Sequence, residues 1–401
     1  MSRLLVFTEN YARGGGNRYL IDLVNSIEGG YDEIIIASNR GGIFPEDVQR
    51  LQKPVTLWPV SFITRASTGN FLRFIPSAAR RIILSPLILL EPLFFLGNII
   101  VFVFLLQRVK PSCVVSCNGG YPAAQASLAM VVAARILRLP VALSIVSMPG
   151  PRRWFLQPYE KFVDKLVWQS VAVVIVNAKA IASALHELRG MPLARAEVVY
   201  NGLEDRPTKV IASKTHDEGC LVIGCIARMD AAKGCLFLFE AFACLARKHP
   251  ELRLVLAGQG DASGELFRRT QVLGLQDRVQ LLGHYTGDVC VLLDTFDIYV
   301  FPSLWEGFPY SLVESMRAGC AIVATSVGGI PEAITDGIEG VLISPGVTAE
   351  MAAAIERLLA EPEMRLTLGR NARLRYEREL ALDKMHVRMR EALANSFREK
   401  G

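Results

Sequence analysis

The chain has 401 residues, of which 51% are hydrophobic and 21% charged, and carries a formal net charge of +5. That length predicts two domains of roughly 200 residues each, and that composition excludes a disordered or fibrous chain. Eight cysteines without disulfide or zinc spacing and five histidines without ligand spacing exclude a disulfide framework and predict no metal site.

The first half reads as short apolar strands at 3–8, 32–38, 54–60, 112–117, 140–146, 171–176 and 196–200, alternating with helical patterns. The opening strand is too short and too interrupted for a signal peptide, and the scattered cysteines suit a reducing cytoplasm. It leads into a polar loop, Glu9–Arg13, then Gly14-Gly15-Gly16 and a helix from Asn17 to Ile27. A glycine-rich turn between a first strand and a first helix is a usual place for phosphate or sugar contact.

Charge is uneven along the chain. Residues 1–200 hold 21 Lys plus Arg against 12 Asp plus Glu. Between 55 and 159 the only acid is Glu91, against ten basic residues that include Arg65, Arg80, Arg81, Arg108, Lys110, Arg152 and Arg153. Such a basic face favours anionic lipid or a lipid-diphosphate acceptor. Nucleic acid is not expected as a partner, because zinc patterns, RNP-like motifs and basic helices with interleaved aromatics are missing.

Within this region Ile82–Leu106 is long enough to span a bilayer. Glu91 and two prolines interrupt it, and a crossing would split the first sheet between its third and fourth strands. Flanked by Arg80-Arg81 and by Arg108 and Lys110, it is expected to lie in the membrane interface; the other reading is a packed helix. The strand 140–146 then ends in Ser147-Met148-Pro149-Gly150. Asn201-Gly202 reads as a turn entering a polar linker, Glu204–Glu218.

The second half repeats the alternation, with strands near 220–227, 252–257, 278–282, 297–301, 320–324 and 340–343. This predicts an α/β chain of two Rossmann-like, doubly wound parallel-sheet domains with ligands at strand C-terminal ends. The strand Leu221–Ala227 is followed by Arg228-Met229-Asp230-Ala231-Ala232-Lys233-Gly234 and a helix from Leu236 to Ala246. Two cations five residues apart at a strand end can converge on one diphosphate, Arg as a planar fork and Lys as a point charge.

The buried run Ile298–Phe301 leads to Pro302-Ser303-Leu304-Trp305-Glu306-Gly307-Phe308-Pro309-Tyr310-Ser311-Leu312-Val313-Glu314, with Gly328-Gly329-Ile330-Pro331-Glu332 beyond. Gly307 permits close backbone approach, and Pro309 suits a first helical turn. A strand end, a turn and a helix N-terminus make an anion site. Two carboxylates beside it would repel bare phosphate. They fit a ligand with hydroxyls next to its phosphates, a sugar nucleotide.

These segments resemble the retaining family-4 glycosyltransferases, whose fold is called GT-B. The resemblance covers nearly the whole chain and is most specific over 220–335. It implies two domains facing a cleft, bounded as 1–203 (acceptor side, with the apolar segment 71–110), 204–375 (nucleotide-sugar side) and a terminal helix, 376–401, packing back on the first domain. It places Arg228 and Lys233 on the donor diphosphate, Glu306 by the donor sugar and Glu314 on the ribose hydroxyls. Gly307, Phe308, Pro309, Tyr310, Ser311 and Leu312 would line the donor site, with Gly15 and Gly16 on the opposite wall. Gly283-His284-Tyr285 would line the base pocket, and Asn118 and Ser147 the acceptor side. Many relatives carry a histidine where Ser147 stands, and serine is a poor base at neutral pH.

The activity so implied is retaining transfer from a nucleotide sugar, UDP ahead of GDP, without metal or other cofactor. The acceptor is a glycan or lipid-linked glycan precursor of cell-surface polysaccharide or lipopolysaccharide. The expected location is cytoplasmic, peripheral on the inner face of the cell membrane. An epimerase or hydrolase of similar fold, a catalytically idle sugar-nucleotide sensor and a sugar-phosphate-using synthase are the alternatives.

Overall fold

The computed structural model describes residues 2–10, 14–40, 48–71, 74–75, 84–206 and 220–398. They form two compact units, Met1–Tyr200 with Met385–Gly401, and Asn201–Lys384.

The first unit is built on a seven-stranded parallel sheet in the order β3-β2-β1-β4-β5-β6-β7. Its strands are β1 (Arg3–Thr8), β2 (Glu33–Asn39), β3 (Thr56–Val60), β4 (Cys113–Asn118), β5 (Val141–Ile145), β6 (Val173–Val176) and β7 (Ala196–Val198). Leu4, Leu5, Val6 and Phe7 in succession are fully buried. A sheet covered on both faces needs such continuous apolar runs rather than alternation.

The second unit has a six-stranded parallel sheet, β10-β9-β8-β11-β12-β13. Its strands are β8 (Leu221–Ile226), β9 (Leu252–Ala257), β10 (Val279–Gly283), β11 (Ile298–Phe301), β12 (Ala321–Thr325) and β13 (Val341–Ile343). In each sheet the strand order reverses once, between β1 and β4 and between β8 and β11. Ligand crevices of doubly wound sheets open at the carboxyl ends of such strands.

The apolar run forms one helical stretch, Pro86–Val109, of mean hydropathy 2.4 and only 22% buried over its most apolar window. Phe95, Ile99, Phe102, Leu105 and Leu106 pack inward, with the Phe102 ring 4.9 Å from Phe7 and 5.6 Å from Phe62. Asn98 is buried in this face because its amide clamps Ile63, accepting from Ile63 N at 3.0 Å and donating to Ile63 O at 2.8 Å. The opposite face exposes Leu93, Leu96, Ile100 and Phe104 by 53–67%. One face is thus packed and the other is apolar and open. Arg80 and Arg81, expected to flank the run, lie outside the described residues, as does linker segment 207–218.

The last helix begins at Leu382 rather than at 376. Leu203 donates its amide to Leu380 O (3.1 Å) and accepts from Leu382 N (2.8 Å), which holds Ala381 extended and ends the preceding π-turn, Tyr376–Leu380. All eight cysteines are free, and Cys113, Cys225, Cys235 and Cys320 are core residues.

Candidate active site

At the carboxyl end of β8 the chain turns through Asp230, whose side chain caps a short 3-10 turn by accepting from Lys233 N at 3.2 Å. This cap fixes where Lys233 leaves the backbone. Gly234 follows at φ +67°, and a Cβ there would stand 2.0 Å from Pro302 O, so the loop after β11 lies directly against it. The Leu304 amide donates to Ala232 O at 2.8 Å across the same contact.

That contact brings Lys233 Nζ into an ion pair with Glu306 Oε1. Glu306 is buried, and the buried Ser303 hydroxyl donates to the same oxygen at 2.9 Å. Thr325 Oγ1, at the end of β12, in turn holds Ser303 O at 2.5 Å. Three strand ends therefore fix one carboxylate. Arg228 stands apart from this pair: it is 73% exposed and bonds Asp230 at 3.2 Å. The two cations are thus held by different carboxylates, with Arg228 open to solvent.

The turn after Glu306 is fastened twice. Gly329 donates to Gly307 O at 2.8 Å, and Asn201 Nδ2 donates to Phe308 O at 2.6 Å. Pro309 is the N-cap of helix Tyr310–Arg317 rather than its first residue. The side chains of Phe308, Tyr310 and Leu312 are buried, while Pro309 and Ser311 are half-buried. The Leu312 amide already donates to Pro309 O at 3.2 Å. Glu314 lies half-buried one turn on, near Tyr299, whose hydroxyl is pushed well above its ordinary range by burial and then by Cys225 and Glu314. His284 is exposed, and Gly283 has φ +62°.

In the first unit, Gly15 and Gly16 open helix Gly15–Ser26 and are exposed. Ser147 follows β5 and lines a cavity of about 880 Å³ together with Thr64, Arg65, Glu91, Tyr121 and Arg153. The side chain of Asn118 lies outside the described residues. From the wall of this cavity runs a chain of charges that sequence reasoning missed. Glu91 pairs with Arg65 (3.5 Å) and Arg153 (2.5 Å), Arg153 with Glu160 (2.5 Å), Glu160 with the fully buried Arg189 (2.7 Å), and Arg152 with Asp164 (2.7 Å).

Residues 13–206 match the model of Glycosyltransferase Family 4, and residues 208–375 match that of Glycosyl transferases group 1. The chain is a group 1 glycosyltransferase with the GT-B fold. The transferase is 32% identical over 172 residues to an alpha-D-kanosaminyltransferase of Streptomyces kanamyceticus, covering 43% of this chain and 41% of that protein. It is 26% identical over 233 residues to the N-acetylgalactosamine-N,N'-diacetylbacillosaminyl-diphospho-undecaprenol 4-alpha-N-acetylgalactosaminyltransferase of Campylobacter jejuni, covering 57% of this chain and 60% of that protein. The matches to these two therefore span about half the length of each relative. Anabaena Alr3699/HepE, solved in complex with UDP, shares the fold at TM-score 0.76 and 21% identity, over 98% of this chain and 100% of that one. A glycosyltransferase from Rickettsia africae superposes at TM-score 0.77 with 16% identity, over 100% and 99%.

Proposed function

We propose that the transferase moves a sugar, with retention and without a metal ion, from a UDP-sugar to a lipid-linked glycan at a membrane surface. The observation that carries this reading is the Lys233–Glu306 pair at the carboxyl ends of β8 and β11. Breaking the anomeric C–O bond builds negative charge on the departing diphosphate and positive charge on the sugar. A fixed ammonium and the solvent-facing Arg228 guanidinium suit the first charge, and the buried Glu306 carboxylate suits the second. In this reading Lys233 leaves Glu306 in part to reach a donor phosphate, and Glu314 takes the ribose hydroxyls. The departing diphosphate accepts the acceptor proton, consistent with Ser147 standing where a histidine base is common in the family.

The membrane part rests on the exposed face of helix 86–109. Glu91, the only acid between 55 and 159, is buried and paired with Arg65 and Arg153, so it puts little negative charge on that surface. Trp154, 85% exposed, and Phe155, 41% exposed, add aromatic anchors on the same unit. The Campylobacter relative, named for a diphospho-undecaprenol acceptor, agrees with a lipid-linked substrate.

The test is a panel of UDP-, GDP- and ADP-sugars scored for nucleoside-diphosphate release with and without membrane lipid extract. Release from one donor that rises only with lipid is expected. Release without acceptor would support a hydrolase or epimerase instead, and binding without release a sensor.

A further inference from the structure

Where the chain enters the second unit, Asn201, Leu203 and Glu204 are each fastened to it. Asn201 Nδ2 donates to Phe308 O at 2.6 Å. Leu203 is held in a bridge to Ala381, and its carbonyl also accepts from the Tyr376 hydroxyl at 2.9 Å. The Arg317 guanidinium donates to Glu204 O at 2.9 Å, and Arg373 pairs with Asp205 at 2.8 Å just beyond.

Two of these bonds grip opposite ends of one helix. Phe308 immediately precedes Pro309, the N-cap of helix Tyr310–Arg317, and Arg317 is the last residue of that helix. Its eight residues rise about 10–12 Å. The steps from Asn201 to Glu204 reach about 10 Å when extended. The segment is a strap of the helix's own length, tied at one end by Asn201 and at the other by Arg317.

The two ends differ in what they hold. Glu306 stands two residues before Phe308, and the neighbouring Gly307 O is held from another segment by Gly329 N at 2.8 Å. At the far end Arg317 meets a backbone carbonyl and the Cys290 sulfur, neither of them near the Lys233–Glu306 pair in the chain. Asn201 is 3% exposed, and its Oδ1 is buried with no hydrogen-bond partner among the described residues. A buried acceptor without a donor destabilises a fold, and alanine would not carry that penalty. Stability alone gains little from asparagine here. What singles it out is the N–H it gives to Phe308 O.

We infer that Asn201 is a positioning residue for the transfer reaction: by holding the Phe308 carbonyl it fixes the turn that carries Glu306, whereas Arg317, at the other end of the strap, acts on stability. The inference rests on the proposed donor role of Glu306.

The experiment uses the full chain with Asn201→Ala, Asn201→Asp and Arg317→Met, each assayed below its own melting temperature. Aspartate keeps the size of asparagine and lacks the N–H, so it separates the bond from packing. Without ligand, hydrogen exchange of peptides covering 304–309 is expected to rise about tenfold in both Asn201 variants and to stay at the wild-type rate in Arg317→Met. With a UDP-sugar and lipid extract, kcat is expected to fall about tenfold to a hundredfold in both Asn201 variants, the range for a small misplacement of a reacting group, with UDP affinity by calorimetry within about threefold of wild type. Arg317→Met is expected to keep kcat within about threefold of wild type even where its melting temperature is lower. Unchanged exchange over 304–309, kcat near wild type in the Asn201 variants, or an equal loss in Arg317→Met overturns the positioning role. Faster exchange over 304–309 in the Asn201 variants of a protein that turns over no UDP-sugar would instead sink the proposed donor and leave Asn201 as the holder of the turn.

Discussion

Lys233 and Glu306 lie 73 residues apart in sequence and form one ion pair, with the Ser303 hydroxyl on the same carboxylate oxygen. The pair is pre-set by backbone: the Asp230 cap aims the lysine, and the close approach at Gly234 sets the loop that carries the glutamate. Under the proposed function, a cation held by a carboxylate is oriented without being spent, since a donor diphosphate would carry more negative charge than the glutamate it displaces.

Lys233→Ala is expected to lower nucleoside-diphosphate release about a hundredfold to a thousandfold, the range for loss of one preorganised donor to a developing anion. Circular dichroism should show an intact fold. Near-normal turnover in a single-turnover assay would remove Lys233 from the diphosphate site.

Gly328→Ala addresses the same site through the backbone. Gly328 has φ +54°, and a Cβ there would stand 1.9 Å from Glu306 O. The substitution is expected to cost about 2–3 kcal/mol in urea unfolding, from strain and from displacing the turn. Gly16→Ala, with open space at its Cβ, should cost nothing measurable.

The two faces of helix 86–109 predict opposite phenotypes. Phe102→Ala, at a fully buried ring, should destabilise the chain by about 3–5 kcal/mol. Leu96→Glu with Phe104→Glu should leave the melting temperature near wild type and remove binding to anionic vesicles in a flotation assay. Retained flotation of that double variant would refute the interfacial role.

Glu9 gives a pH signature. Its carboxyl is raised from 4.5 to about 7 by burial, so the folded state binds the proton more tightly than the unfolded chain. Stability is therefore lost as pH rises from about 4.5 to 7, and the loss is complete above that, on the order of 3 kcal/mol. Tyr19 and Cys117, which line a cavity with Glu9, are raised by burial and stay neutral throughout. Glu9→Gln should stabilise the protein by up to that amount at pH 8 and by little at pH 4.5. Denaturant midpoints at the two pH values check this, and an equal difference at both would contradict it.

The central strands were legible because they are apolar runs bounded by turn residues and buried on both faces, whereas the edge strands β3 and β7 are largely exposed or half-buried. The glycines and charges at strand ends were read from the residue types that phosphate chemistry favours, and the structure places Lys233, Glu306 and Gly307 beyond strand ends. The double character of helix 86–109 was not, because a helix apolar on both faces has no periodicity to read. Glu9 was read only as part of a polar loop, since a single glutamate has no pattern and its burial arises from Thr64, 55 residues away. The charge chain through Arg189 was hidden for the same reason, as its members come from four separate segments of the first unit.

That charge chain has a consequence for how the protein can change over generations. Glu91 answers both Arg65 and Arg153, and Arg153 answers both Glu91 and Glu160. A lineage that lost Glu91 alone would leave Arg153 to Glu160 and take from Arg65 its carboxylate, and one that lost Arg153 alone would leave the buried Glu91 to Arg65 and Glu160 to Arg189. Neither step is neutral by itself. The two positions are therefore bound to drift together or to stay still, and chains descended from this one should keep both or have exchanged both.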